Sequence, residues 1–403
     1  MRRRKGRGIL SSCRICQLAV QTGTSSRAAA LTRVGFVGIL VTGVVAAAGC
    51  GRGAGGIGRT AGDTAFVGVA VGLTSPERYV NVFEGVQLAL DELNKTRKPG
   101  SPVLALRRAA AKATSPVEIA AAFRDDPAVI GVVGHTESDA TIAAAPVYAD
   151  RAHDGRDPIV AVSPTAGSMA VTRVSTWVFR VCPAVDQQAR ALARFVADSL
   201  QLRSAAVLYR NDPSGKDFLR AFRDELVSKG GTVTERDPFT EQISEFDAYA
   251  LRIVKTQTQA VVVAGNSPQE RAMMQALRKS GGHQPVLGTN APLANDTGDF
   301  RGLRYVMLYS PTRTGTAEGA HFAEAFRART GKTADHWGAL GYDAAMLIGR
   351  AAHEVGADRR GIRDYLAGVG KARPAYPGAT GTIAFDANRD PVNKQMLVGE
   401  VPR

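Results

Sequence analysis

From residue 64 onward the chain repeats one pattern, a short apolar run that breaks into small polar residues, followed by apolar positions at helical spacing. "TAFVGVAVGLTS" (64–75) predicts a strand and a polar turn, after which Phe83, Val86, Leu90 and Leu93 share one helix face, with Asp91 and Glu92 opposite. "PVLALRRA" predicts a second strand, and Ser115–Glu118, "SPVE", a capping box with proline in the first helical position. Two further strands, Val129–Gly134 and Ile159–Ser163, flank a helix over Ser138–Asp150. In a parallel α/β sheet, loops leaving the carboxyl ends of strands line the ligand crevice, and a helix starting there points free N–H groups outward. "HTES" at 135–138 and "SPT" at 163–165 are therefore expected to face one crevice.

The second half uses the same grammar. Strand patterns at Ser175–Val181, "AAVLYRNDPSG" (205–215), "AVVVAGN" (260–266), "PVLGTNAP" (285–292) and Leu303–Ser310 alternate with helical stretches at Asp186–Leu200, Phe218–Lys229 and the segment after Asn266. Helices then follow at His321–Thr330, Trp337–Val355 and Arg360–Val369, and a glycine-rich turn separates two last strand patterns, "GATGTIAFDANRD" and "KQMLVGEV". This predicts an α/β chain with two parallel layer sets, and 403 residues are enough for two cores.

Charge changes this picture only at the N-terminus. Of the formal net charge of +14, residues 1–49 supply eight positive charges and no acid; fourteen less eight leaves about +6, spread without a basic run. Aromatic residues make up only 6%, so no nucleic-acid partner is expected. The basic start and the apolar run Val34–Ala48, ending in "AAGC", resemble a bacterial lipoprotein signal, with Cys50 as the acylated first mature residue. An uncleaved anchor helix is the other reading of this leader. Either way the bulk of the chain is exported, with a lipid anchor holding it to the outer face of a membrane in the first case. Residues 51–62 contain G-x-G-x-x-G twice, but no strand precedes it and no helix follows, so the stretch reads as a tether over residues 50–63 and not as a dinucleotide loop. Cys13 and Cys16 fall in the leader, which leaves Cys182 alone, without a disulfide partner and reading as a small buried residue. There is no G-x-S-x-G, no H-E-x-x-H and no Cys/His metal spacing, and the six histidines are scattered, so neither an enzyme nor a cofactor is expected.

Seven stretches in order, "FEGVQLALDELN", "VIGVVGHTESDAT", "VAVSPTAG", "FRVCPAVDQQA", "VLYRNDPSG", "GYDAAML" and "GATGTIAFDANRD", resemble the type I periplasmic binding proteins, especially the leucine/isoleucine/valine-binding branch that serves ABC importers. The resemblance implies two Rossmann-like lobes joined by three crossover strands, near Arg180–Cys182, Met307–Ser310 and Thr382–Asp386, closing on a small ligand. Lobe one would be residues 64–181 with 309–384, and lobe two 182–308 with 385–403. It implies capture of a small polar ligand for an ABC permease, or sensing of that ligand for a membrane receptor partner.

The resemblance also places the site. Ser138 would hold a ligand carboxylate, although a helix N-cap is an equal reading of it, with Thr136 and Glu137 beside it; Glu137 and Asp139 could pair a cationic ligand or face solvent. Thr165 would bind through its backbone, and Gly167 stands where a hydroxyl is usual. Ser75 and Tyr79 lie on the loop after the first strand. In lobe two, Ser214 and Asn266 or Ser267 replace aromatics, and Asn290 replaces a glutamate that pairs the ligand amine. A buried ammonium without that charge costs several kcal/mol, so an amide or small carboxylate is expected over plain leucine, isoleucine or valine. His135 and Tyr342 read as packing residues.

Overall fold

A computed structural model of the chain describes residues 64–73, 79–289, 299–313 and 316–401. Cys50, the glycine-rich stretch, Ser75 and Asn290 lie outside the described residues. All that is described belongs to one compact unit, Ile57–Arg403.

The first sheet is fully parallel, in the order β2-β1-β3-β4-β5, from β1 (Thr64–Ala70), β2 (Val103–Arg108), β3 (Val129–Gly134), β4 (Val160–Ser163) and β5 (Val178–Arg180). β3 and β4 are buried at every position, as strands covered by helices on both faces must be. On one face lie α2 (Pro116–Asp125) and α3 (Ser138–Tyr148), whose Ile119, Phe123, Ala144 and Tyr148 pack on Val129, Val132 and Ile159. On the other lie α1 (Val80–Lys95) and α10 (His336–Val355), with α9 (Ala317–Thr330) and α11 (Arg359–Gly368) beside them. A β-carbon on Gly85 would stand 2.0 Å from the Gly338 carbonyl oxygen, and one on Gly341 2.7 Å from that of Val82. The glycines of "FEGV" and "GYDAA" are therefore there to let α1 and α10 touch backbone to backbone.

The second sheet runs β13-β10-β9-β8-β6-β7, parallel except where β13 (Leu397–Glu400) pairs antiparallel with β10 (Arg304–Met307). Its other strands are β6 (Ser204–Arg210), β7 (Thr232–Phe239), β8 (Ala260–Ala264) and β9 (Val286–Gly288). α5 (Val185–Arg194), continued by a π-turn to Ser199, and α6 (Pro213–Ser228) cover one face; α7 (Asp247–Lys255) and α8 (Ser267–Lys279) cover the other. A short helix, α4 (Ala170–Arg173), joins β4 to β5, and a hairpin of β11 (Tyr376–Gly378) and β12 (Gly381–Ile383) follows α11.

The chain passes from the first sheet to the second after β5, returns after β10 and passes over again between β12 and β13. The last crossing carries Lys394, whose buried ammonium donates to the carbonyls of Thr380 (3.0 Å) and Gly381 (3.3 Å). Asp343 of α10 accepts from the N–H groups of Ala379 and Thr380 on the same turn. Burial pushes the Lys394 amine down to about 8, with Asp343 and Cys182 pulling the other way.

Local chemistry accounts for the departures from pattern. α6 starts at Pro213 rather than Phe218, because the Asp212 carboxylate accepts from Gly215 N at 2.7 Å and proline fits the first turn. At Ser115 only half of a capping box forms: its hydroxyl accepts from Glu118 N, while the Glu118 carboxylate takes Thr114 N. β7 and α7 are missed by pattern alone. β7 is an edge strand, "TVTERDPF", which tolerates charges and a proline that a central strand excludes.

Candidate functional site

The loops after β1, β3 and β4 form the first rim of the crevice. Thr136, just after β3, accepts from Gly72 N through Oγ1 (2.9 Å), and its carbonyl accepts from the Thr165 hydroxyl (2.6 Å). The Tyr79 hydroxyl donates to Glu137 at 3.4 Å, and Ser168 N donates to Ser138 Oγ at 3.1 Å. Tyr79, Thr136, Glu137, Ser138 and Thr165 are thus brought into one bonded cluster at the start of α3. Ser138 still has its own O–H to donate, and it stands in the first turn of α3, where backbone N–H groups have no partner within the helix.

Gly167 is placed differently. Its carbonyl accepts from Arg180 (2.9 Å) and from Val185 N (2.7 Å), and the position a β-carbon would take lies 3.6 Å from the Val185 side chain. It sits at the first crossing, where the loop after β4 meets α5.

Beneath this rim lies a layer of buried polar groups. Ser163 and Thr141 both donate to the His135 carbonyl, and His135 Nε2 lies 3.0 Å from the Tyr148 hydroxyl. Burial lowers the His135 pKa to about 4 and raises that of Tyr148, so both are neutral near pH 7. Arg180 has no exposed surface; it donates to the carbonyls of Ala166, Gly167 and Ser168 and meets Asp390 at 2.7 Å. Arg180, Ser163 and Thr141 hold the rim in place, and sequence reasoning did not assign them that part. For Arg180 a signal exists: a cation inside the apolar strand "WVFRV" has to be buried with a partner.

Across the crevice, Ser214 is the second residue of α6 and is half-buried. Asn266 caps α8, its N–H donating to Gln269 Oε1 at 2.8 Å, while Ser267 is buried behind it. The dominant charge on this rim is Arg210, at the carboxyl end of β6, which sequence reasoning also missed. It pairs with Asp212 and lies 3.9 Å from Glu241. Burial alone would lower its pKa, but Asp212, Glu241 and, from the other rim, Asp139 raise it. Asp139 of the first rim is among the charges that act on Arg210, and Arg220 of α6 approaches Met169 Sδ, just before α4, at 3.9 Å, so the two halves meet there. Residues 74–78 and 290–298, and with them Ser75 and Asn290, lie outside the described residues.

Among the described residues no group of three or more His, Cys, Asp or Glu is placed to hold a metal ion, and no helix is long and apolar enough to cross a membrane. The arrangement offers hydroxyls, helix N–H groups and one paired guanidinium on loops at strand ends, which suits binding of a small polar molecule.

Comparison with known proteins agrees. A family model described as periplasmic binding protein matches residues 64–403. An amino acid binding protein of Pseudomonas aeruginosa is 24% identical over 226 residues, which span 54% of this chain and 59% of that protein. A Leu/Ile/Val-binding protein homolog of Brucella abortus is 21% identical over 334 residues, 81% of this chain and 87% of its own. Among solved structures, the branched-chain amino acid binding protein LivJ of Streptococcus pneumoniae, in complex with isoleucine, superposes with a TM-score of 0.72 at 21% identity, covering 84% of this chain and 97% of that one. A solute binding protein of Rhodopseudomonas palustris in complex with 3,4-dihydroxybenzoic acid gives 0.71 at 21% identity, covering 85% and 94%.

Proposed function

This chain belongs to the periplasmic binding protein family, and on that premise we propose that it is an exported, non-enzymatic solute-binding protein that captures a small polar carboxylate or amide between its lobes and delivers it to an ABC importer. The observation that carries this reading is the bonded cluster of Tyr79, Thr136, Glu137, Ser138 and Thr165 at the start of α3, facing a second rim that bears Arg210. The ligands named for the two solved neighbours, isoleucine and dihydroxybenzoic acid, both carry a carboxylate. Ser138 and the α3 N–H groups are the natural receivers of that group.

Lobe boundaries at 181/182, 308/309 and 384/385 are part of the same proposal, as is ligand contact by Gly167, Ser75, Ser214, Asn266, Ser267 and Asn290. The polar character of Ser214, Asn266 and Ser267 supports a polar ligand over an aliphatic one. A thermal-shift panel tests this: saturation at 100 times the dissociation constant adds about 2.7 kcal/mol. A small carboxylate or amide should raise the melting temperature by several degrees; a shift with valine or leucine and with nothing else would reject the polar-ligand reading. Scattering with that ligand should show a smaller radius of gyration, as closure of two lobes requires. The lipid anchor at Cys50 belongs to the proposal too, and Cys50→Ser should then move the protein from the membrane to the soluble fraction.

A further inference from the structure

A groove of about 690 Å³ lies far from the crevice, between the end of α1, α9, the second half of α10 and β11. Tyr79 stands at the crevice and Glu92 in the groove, and the helical rise of α1 from one to the other is about 20 Å. Nothing described so far for ligand capture uses this groove, yet its volume lies in the range of small-molecule sites.

The lining has an apolar floor and two cations at its edge, Lys98 just after α1 and Arg350 on α10. Leu93, Met346, Tyr342 and Tyr376 are each less than a tenth exposed. Glu92 is already engaged: one carboxylate oxygen accepts from the Tyr342 hydroxyl at 2.6 Å and the other lies 2.8 Å from His321 Nε2. Arg350 is different. Neighbouring arginines on this side of the lobe are neutralised, Arg329 by Asp91 and Glu84 and Arg373 by Glu354. Arg350 makes no ion pair among the described residues and rests its guanidinium carbon 5.1 Å from the centre of the Tyr376 ring. A guanidinium stacked on an aromatic face keeps its N–H edge free for an oxyanion.

We propose that this groove is a second binding site, for a small molecule with an aromatic or aliphatic body and one anionic group, carboxylate or sulfonate. Arg350 takes the anion and Tyr376, Met346 and Leu93 take the body. This proposal does not depend on the reading of the crevice.

Anilinonaphthalene sulfonate, an aromatic anion whose fluorescence reports binding, is the probe, used on the full chain. Saturable binding to the unaltered protein is expected, weakened roughly tenfold or more by Arg350→Glu through loss of a charge-assisted contact and reversal of charge. Arg350 is exposed, so its replacement leaves the core alone, and Arg350→Lys should restore part of the affinity. Ser138→Ala, which alters the crevice, should leave probe affinity unchanged, so failure here and failure of the crevice reading are separable. Glu318 also lines the groove, which makes the cationic dye thioflavin T the control. The proposal is overturned if the unaltered protein does not bind the sulfonate, if Arg350→Glu binds it as well as the unaltered protein, if Ser138→Ala abolishes binding, or if the cationic dye binds in its place.

Discussion

The two rims of the crevice solve the same problem with different materials. On the first, most of the bonds join neutral groups, Gly72 to Thr136, Thr165 to Thr136 and Ser168 to Ser138, with Arg180 gathering three carbonyls from below. On the second, charge is spent at the surface, with Arg210 between Asp212 and Glu241 and the α6 cap supplied by the same Asp212. A network of buried, mutually satisfied groups is rigid and intolerant of deletion, whereas partly exposed ion pairs are screened and worth little. The first rim is thus a preformed template, and the exposed charges of the second can change with less effect on the fold.

The strongest way to break that contrast is Arg180→Met. Removing the guanidinium takes the cation from Asp390 and one donor from each of three loop carbonyls, although Thr172 Oγ1 still reaches Asp390 and Val185 N still reaches Gly167, at a cost of about 3–5 kcal/mol, read as a shift in the urea unfolding midpoint. A loss near zero would mean that the first rim is not held from beneath. Next comes acid. His135 has its pKa depressed to about 4 by burial, against 6.5 ordinarily. The unfolded chain therefore binds a proton that the folded chain refuses: the contribution is complete above pH 6.5 and is lost as pH falls toward 4, on the order of 3 kcal/mol. His135→Gln, which does not titrate, should lose less stability over that window; parallel curves would reject the assignment.

Ser138→Ala should weaken ligand binding by roughly 10- to 150-fold in calorimetry, the cost of one hydrogen bond to a charge. Equal affinity would take Ser138 out of the site. The smallest effect belongs to the second rim: Glu241→Gln, which removes a partly exposed carboxylate 3.9 Å from Arg210, should change stability by less than about 1 kcal/mol. A large loss there would erase the difference between the rims.

Much of this architecture is legible in the chain, because parallel strands covered on both faces must be short and apolar and their helices periodic. Val129–Gly134 and Ala260–Ala264 could hardly be anything else. β7 escapes because an edge strand answers to one neighbour and half to water, so its Glu235, Arg236 and Asp237 look like a loop. At the site, spacing places Thr136, Ser138 and Thr165 near one another, since each follows a strand end. Arg210 and Arg180 are harder to see, because what they do depends on Asp212, Asp139 and Asp390. Asp139 and Asp390 reach them only through the fold, and sequence distance does not measure that. Gly167 marks the same limit from the other side: its alignment with a ligand contact says nothing of Val185, which occupies its carbonyl.

Cys182 lies at the first crossing, 2% exposed, its thiol raised to about 11 by burial, and it is the one free cysteine among the described residues. A thiol reagent needs both access and a thiolate, so it meets neither condition while the crossing is intact. Pulsed alkylation then becomes a clock for this molecule: the rate at which Cys182 is modified counts openings of the segment that links the lobes, without any engineered label. A bound ligand that stabilises the closed form should slow that clock, whatever the ligand's chemistry.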